Sequence, residues 1–91
     1  MRITYRVHAL QRMFQRGINQ DTVRQVLETG KTIEDYPADH PYPSRLILGW
    51  DGTRPIHVVS AHNETNDEAI VITVYEPEQA RWSNDFRTRI P

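Results

Sequence analysis

Three residue types that could perform phosphate chemistry, His, Arg and Tyr, occur at positions that matter. His8, Arg12 and Arg16 are spaced i, i+4 and i+8, so in a helix they share one edge. Such an edge is either a solvated polar face or an anion site, with Arg12 offering a planar fork to phosphate and His8 a group that titrates near neutral pH. His57 lies in an apolar run, Ile56 to Val59. It is either a hydrogen-bonded core histidine or a general base. Tyr75 ends the most apolar segment of the chain, Ala69 to Tyr75, and Arg45 opens another apolar run. If Arg12, Arg45, His57 and Tyr75 converge on one sheet edge, they supply an acid, a base and positive charge, which is what cleavage of a phosphodiester without a metal requires.

Other chemistries are poorly served. The four histidines show no HxH or HxxxH spacing, and His57 and His62, five apart in a strand, point to opposite faces. No glycine-rich phosphate loop or nucleophile elbow occurs, and no cofactor is expected. Ser60, between Val59 and Ala61, reads as structural. The carboxylate pairs Glu34-Asp35 and Asp67-Glu68 read as solvated charge. Among the aromatic residues, Trp50 reads as core or interface, and Trp82 as a clamp for the C-terminal segment or for a partner.

The elements that must position these residues follow from periodicity. Ile3 and Tyr5 alternate with polar neighbours in a short first strand. From Val7 to Arg16 the period is helical, with Val7, Leu10, Met13 and Phe14 as its apolar stripe and Gly17 as a left-handed terminator. Asn19 caps a second helix that buries Val23, Val26 and Leu27 and stops at Gly30. Thereafter the period is two: an edge strand over 31–36, then a proline-broken loop, then strands over 45–50, 56–62 and 69–75 forming an antiparallel meander. In the last strand Ile70, Ile72 and Val74 are expected to face the core, with Tyr75 on the other face. The fold class is α+β, two N-terminal helices packed on one face of a four- or five-stranded, mainly antiparallel sheet.

A chain of 91 residues supports one domain, residues 1–91, with 83–91 expected as a flexible tail. The absence of cysteine excludes disulfides and thiolate metal sites. No apolar run approaches the roughly 18 residues of a membrane span and no signal-type apolar segment opens the chain, so a cytoplasmic address without membrane contact is expected. The net charge is −1, but residues 1–20 hold four arginines and no acid. This asymmetry permits a local anion site and argues against broad nonspecific nucleic-acid binding.

The ordered combination His8-Ala9-Leu10-Gln11-Arg12-Met13, Arg16-Gly17-Ile18, Asp35-Tyr36-Pro37, Pro41-Tyr42-Pro43-Ser44, Pro55-Ile56-His57-Val58-Val59 and Thr73-Val74-Tyr75-Glu76-Pro77 through Trp82 resembles a family of small bacterial proteins known as a domain of unknown function. That family is similar to toxins of the RelE, BrnT and MqsR type, often paired with a zinc-finger antitoxin resembling MqsA. The resemblance implies a RelE-like sheet with helices on one side and, by analogy, endoribonuclease activity on RNA with an antitoxin and the ribosome as partners. His8, Arg12, His57 and Tyr75 carry over as motif positions. In the cleavage reading, His57 with Tyr75 removes the 2′-hydroxyl proton, Arg12 and Arg45 stabilise the phosphorane, His8 protonates the leaving oxygen, and Arg16 binds RNA. The slightly acidic net charge departs from the basic character of such toxins and leaves docking to a ribosome or partner. The alternative is a non-enzymatic protein-binding module or inactive toxin homologue.

Overall fold

A computed structural model describes all 91 residues. Strand β1 (Arg2–Tyr5) leads into helix α1 (Val7–Arg16) and helix α2 (Gln20–Thr29), followed by strands β2 (Lys31–Tyr36), β3 (Ser44–Asp51), β4 (Arg54–Asn63) and β5 (Glu68–Tyr75). The sheet order is β1-β5-β4-β3-β2. β2 to β5 form the antiparallel meander, and β1 pairs in parallel with β5. The chain is thus α+β, with α1 against β5 and α2 against β3 and β4.

The two helices are delimited by backbone chemistry legible in the sequence. Gly17 takes the left-handed conformation (φ 64°). The Ile18 amide then donates to the Met13 carbonyl at 2.9 Å, closing α1 with a Schellman bond. The Asn19 side chain accepts from the Thr22 amide at 2.8 Å, satisfying one of the donors that a helix start leaves unpaired.

Which face α1 buries is another matter. Ala9 and Met13 enter the core, while Val7, Leu10 and Phe14 are 70%, 41% and 90% exposed. The expected stripe is therefore corrected to the Ala9–Met13 side. Ala9, fully buried, has no bulk to hold the helix away from the sheet.

β5 also departs from simple alternation. Val59 pairs with Thr73 but Ser60 with Val71, so Ile72 is the extra residue of a β-bulge. As a result Val71 and Val74 both reach the core with no exposure, whereas Ile70 and Ile72 are half-buried. The expected Ile70–Ile72–Val74 face holds only at Val74. The core beneath the helices joins Ala9, Met13, Val23 and Val26 to Ile47, Ile56, Val58, Val71 and Val74.

The opposite sheet face is covered as well. After β5 a short 3₁₀ turn (Gln79–Arg81) brings Trp82 under the sheet. Residues 81–90 then double back: Ser83 donates to the Thr88 carbonyl at 2.8 Å and Ile90 to that of Arg81 at 2.9 Å. The segment expected as a flexible tail lies as a strap against the sheet.

Candidate active site

The strap meets the sheet at His57. The register sets His57 directly opposite Tyr75 and Leu48, so the three share the strap-side face. His57 is fully buried. Its Nε2 lies 2.9 Å from the Phe86 carbonyl, a group that can only accept, so Nε2 carries the proton. Nδ1 is then an acceptor, and the Tyr75 hydroxyl donates to it at 3.2 Å. Phe86 holds a left-handed backbone (φ 61°), an uncommon conformation for a bulky residue. Trp82 packs edge-on to the His57 ring, with centroids 4.5 Å apart.

Burial dominates the electrostatics of this pair. It pushes the His57 pKa below its ordinary value; the Phe86 hydrogen bond opposes that shift, and nearby Arg89 adds to it. Burial likewise raises the Tyr75 pKa, with Arg89 acting against it. Both groups are therefore neutral at pH 7, joined as phenol donor and imidazole acceptor.

Tyr75 also faces outward. β1 pairs only with Glu68–Val71, so on that side no strand flanks the end of β5. A cleft of about 360 Å³ opens there, walled by His8, Arg12 and Arg16 of α1, by Thr73 and Tyr75 of β5, and by Arg81, Trp82 and Arg89 of the strap. Two carboxylates reach it, and each is engaged: Glu76 by Arg54 Nε at 2.7 Å and Glu78 by Arg81 at 3.4 Å. Arg89 lies 4.8 Å over the Trp82 ring and 3.8 Å from Glu34. Arg12 and Arg16 take part in none of these ion pairs. The Arg54 guanidinium also donates to the carbonyls of Arg16 and Gly17, tying the C-terminal end of α1 to β4. The cleft thus has excess positive charge, unpaired guanidinium groups and a phenol backed by an imidazole, which suits it to a phosphate-bearing ligand.

Of the residues singled out in the sequence, His8, Arg12, Arg16 and Tyr75 come together. His57 joins them only through the Tyr75 hydroxyl, because its burial leaves no path for a substrate to touch it. Arg45 does not join. Three residues from Leu48 along a regular strand, it points to the other sheet face and lines a separate cleft with Asp35, Tyr42 and His62. Trp82 is 3% exposed; it clamps the strap and has no face left for a partner. Arg81, Arg89 and Phe86 were missed. The available signal was an aromatic and arginine content in residues 81–90 unusual for a solvated tail.

No three of the His, Asp and Glu side chains are grouped so as to hold a metal ion, and no helix is long and apolar enough to cross a membrane. No curated protein and no solved structure matches the chain. The α1 and β5 walls of the cleft both fall within residues 5–76, the stretch matched by the family model described as Domain of unknown function (DUF4258), and the chain belongs to that family.

Proposed function

We propose that the protein is the toxin of a bacterial toxin–antitoxin pair, an endoribonuclease that cleaves RNA in the α1–β5 cleft without a metal ion. The observation that carries this reading is the Tyr75–His57 hydrogen bond opening into the same cleft as the unpaired Arg12 and Arg16. The ribose 2′-hydroxyl attacks the adjacent phosphorus. Its proton passes to the Tyr75 oxygen as the phenolic proton moves to His57 Nδ1, and the Phe86 carbonyl stabilises the imidazolium through Nε2–H. Arg12 and Arg89 face the phosphorane charge, and Arg16 holds a neighbouring phosphate. His8 donates a proton to the departing 5′-oxygen. The products are a 2′,3′-cyclic phosphate and a 5′-hydroxyl, and the enzyme is restored when the proton on His57 returns through Tyr75 to solvent and His8 takes one up.

The resemblance to RelE-, BrnT- and MqsR-type toxins supports the same reading and implies an antitoxin, of the zinc-finger type or another, as the neutralising partner. The full burial of His57 favours a second reading, in which the Tyr75–His57 pair is purely structural and the chain is a non-enzymatic binder. Purified protein incubated with RNA and EDTA separates the two. Cleavage yielding cyclic phosphate ends, lost when Arg12 and Arg16 are both changed to Ala, supports the ribonuclease. Intact RNA, with no growth arrest on expression of the chain alone or with ribosomes present, refutes it. Both arginine side chains are exposed, so the double variant should keep the fold.

A further inference from the structure

At the same end of the sheet, on the far side of β4 from the cleft, lies a second recess. β2 begins at Lys31, opposite Leu48, so Gly49, Trp50 and Asp51 of β3 have no neighbouring strand on that side. A cavity of about 250 Å³ opens there, lined by Gln25 and Thr29 of α2, by Lys31 and Trp50, and by Arg87 of the strap. No carboxylate lines it. Of the acids adjacent in sequence, Glu28 lies outside the cavity wall and Asp51 stands opposite Arg54 in the hairpin. Asp85 accepts from the Ser83 hydroxyl and the Arg87 amide, and it reaches the Arg87 guanidinium only at 4.0 Å.

Trp50 is the ring that this recess displays. It is 44% exposed, and the Phe86 ring abuts it at 75° with centroids 6.0 Å apart. The Phe86 carbonyl accepts the proton of His57 Nε2, so one strap residue orients both His57 and Trp50. Trp50 and Tyr75 stand two strands and two register positions apart, roughly 12 Å between Cα atoms. An aromatic ring that shares a recess with two cations and no acid matches a nucleobase with its adjoining phosphates, because every base has a π-face and Lys and Arg pair with phosphate. A partner helix would need a row of apolar side chains, and here there is one ring. We propose that Trp50 is a base-stacking platform for the RNA strand held in the α1–β5 cleft, with Lys31 and Arg87 pairing the adjoining phosphates. The proposal takes its ligand from the ribonuclease reading: the cleft performs the chemistry, and Trp50 contributes binding.

The probe is a short, labelled, single-stranded oligonucleotide with 2′-O-methyl riboses, which lacks the attacking hydroxyl and so reports binding without cleavage. Its binding, followed by anisotropy, should quench the tryptophan emission of the full-length protein. Trp50→Phe should remove the quench, because the other tryptophan, Trp82, is 3% exposed. Trp50→Ala should weaken binding by roughly 5- to 150-fold, the worth of one stacked base. An abasic version of the oligonucleotide should bind the parent protein more weakly and without quenching. Circular dichroism verifies that both variants are folded, and if Trp50→Ala is not, the quench in the parent and its loss in Trp50→Phe decide the matter. No binding, binding without a quench, a quench that survives Trp50→Phe, or equal affinity in folded Trp50→Ala would overturn the platform. RNA still cut in EDTA alongside such a result leaves the ribonuclease reading standing, whereas a Trp50 quench with RNA left intact keeps the platform and refutes the cleavage.

Discussion

Replacing His57 with Gln should make stability less dependent on pH, and the size of the effect follows from the burial of the ring. Folded His57 is neutral, with its pKa pushed down chiefly by desolvation, whereas in the unfolded chain it titrates near 6.5. Above that pH neither state binds the proton, and the full stability is present. As pH falls below about 6.5 the unfolded state takes up a proton that the folded state does not, so stability declines by at most about 1.4 kcal/mol per pH unit. If the ring stays neutral, the loss reaches about 2 kcal/mol at pH 5, roughly 10 °C in melting temperature for a domain of this size. Glutamine reaches the Phe86 carbonyl with its amide but cannot ionise. It should cost about 1–3 kcal/mol at pH 7, because it loses the Tyr75 bond and the edge-on contact with Trp82. The gap between the two proteins should then narrow toward pH 5. The Glu68 and Asp85 carboxyls, held below the usual range by hydrogen bonds from Thr4 and Ser83, are present in both proteins and cancel in the difference. Urea unfolding of each at pH 7, 6 and 5 measures this. A gap that stays constant or widens would show that folded His57 ionises as readily as an exposed histidine, and the buried neutral pair with Tyr75 would be wrong.

Tyr75→Phe leaves His57 Nδ1 buried without its donor, so it should cost about 1–3 kcal/mol and, if the phenol relays the proton, slow RNA cleavage by about 10²–10⁴-fold with RNA binding retained. Denaturant unfolding and a cleavage assay read the two effects separately; unchanged stability would mean the hydroxyl is not bonded. Gly49→Ala would put a Cβ 2.4 Å from Val26 Cγ2, a contact that forces α2 away from β3 and should cost about 1–3 kcal/mol. An unchanged melting temperature would refute that close approach.

What the sequence shows and hides has physical causes at particular residues. Asn19 and Gly17 announce the helix ends because capping is local chemistry, and the period-two runs announce the meander because each strand presents alternate residues to alternate faces. Four features are hidden. The bulge at Ile72 is a property of the ladder between β4 and β5, not of either strand alone. The strap is held by a backbone carbonyl on a buried imidazole and by a tryptophan edge, contacts that leave no periodic trace. Arg45 has the right charge at the right end of a strand but stands on the wrong face, which only the register reveals.

The rotation of α1 is the fourth hidden feature, and it links the site to the exposed stripe. Hydrophobic periodicity gives weight to Val7, Leu10 and Phe14 and little to Ala9. Yet Ala9 and Met13 are what the sheet receives. At 100° per residue, the centre of the expected stripe and the direction midway between Ala9 and Met13 differ by roughly 90°. With the expected stripe buried, the His8–Arg12–Arg16 edge would point almost directly away from the sheet. With Ala9 and Met13 buried it lies roughly 80° from the sheet direction, where it forms a wall of the cleft beside Tyr75. The same turn carries Leu10 and Phe14 out to solvent. One small residue at the centre of the contact thus both builds the basic wall and exposes the apolar face, so a bulkier side chain at position 9 would disturb the cleft and the stripe together.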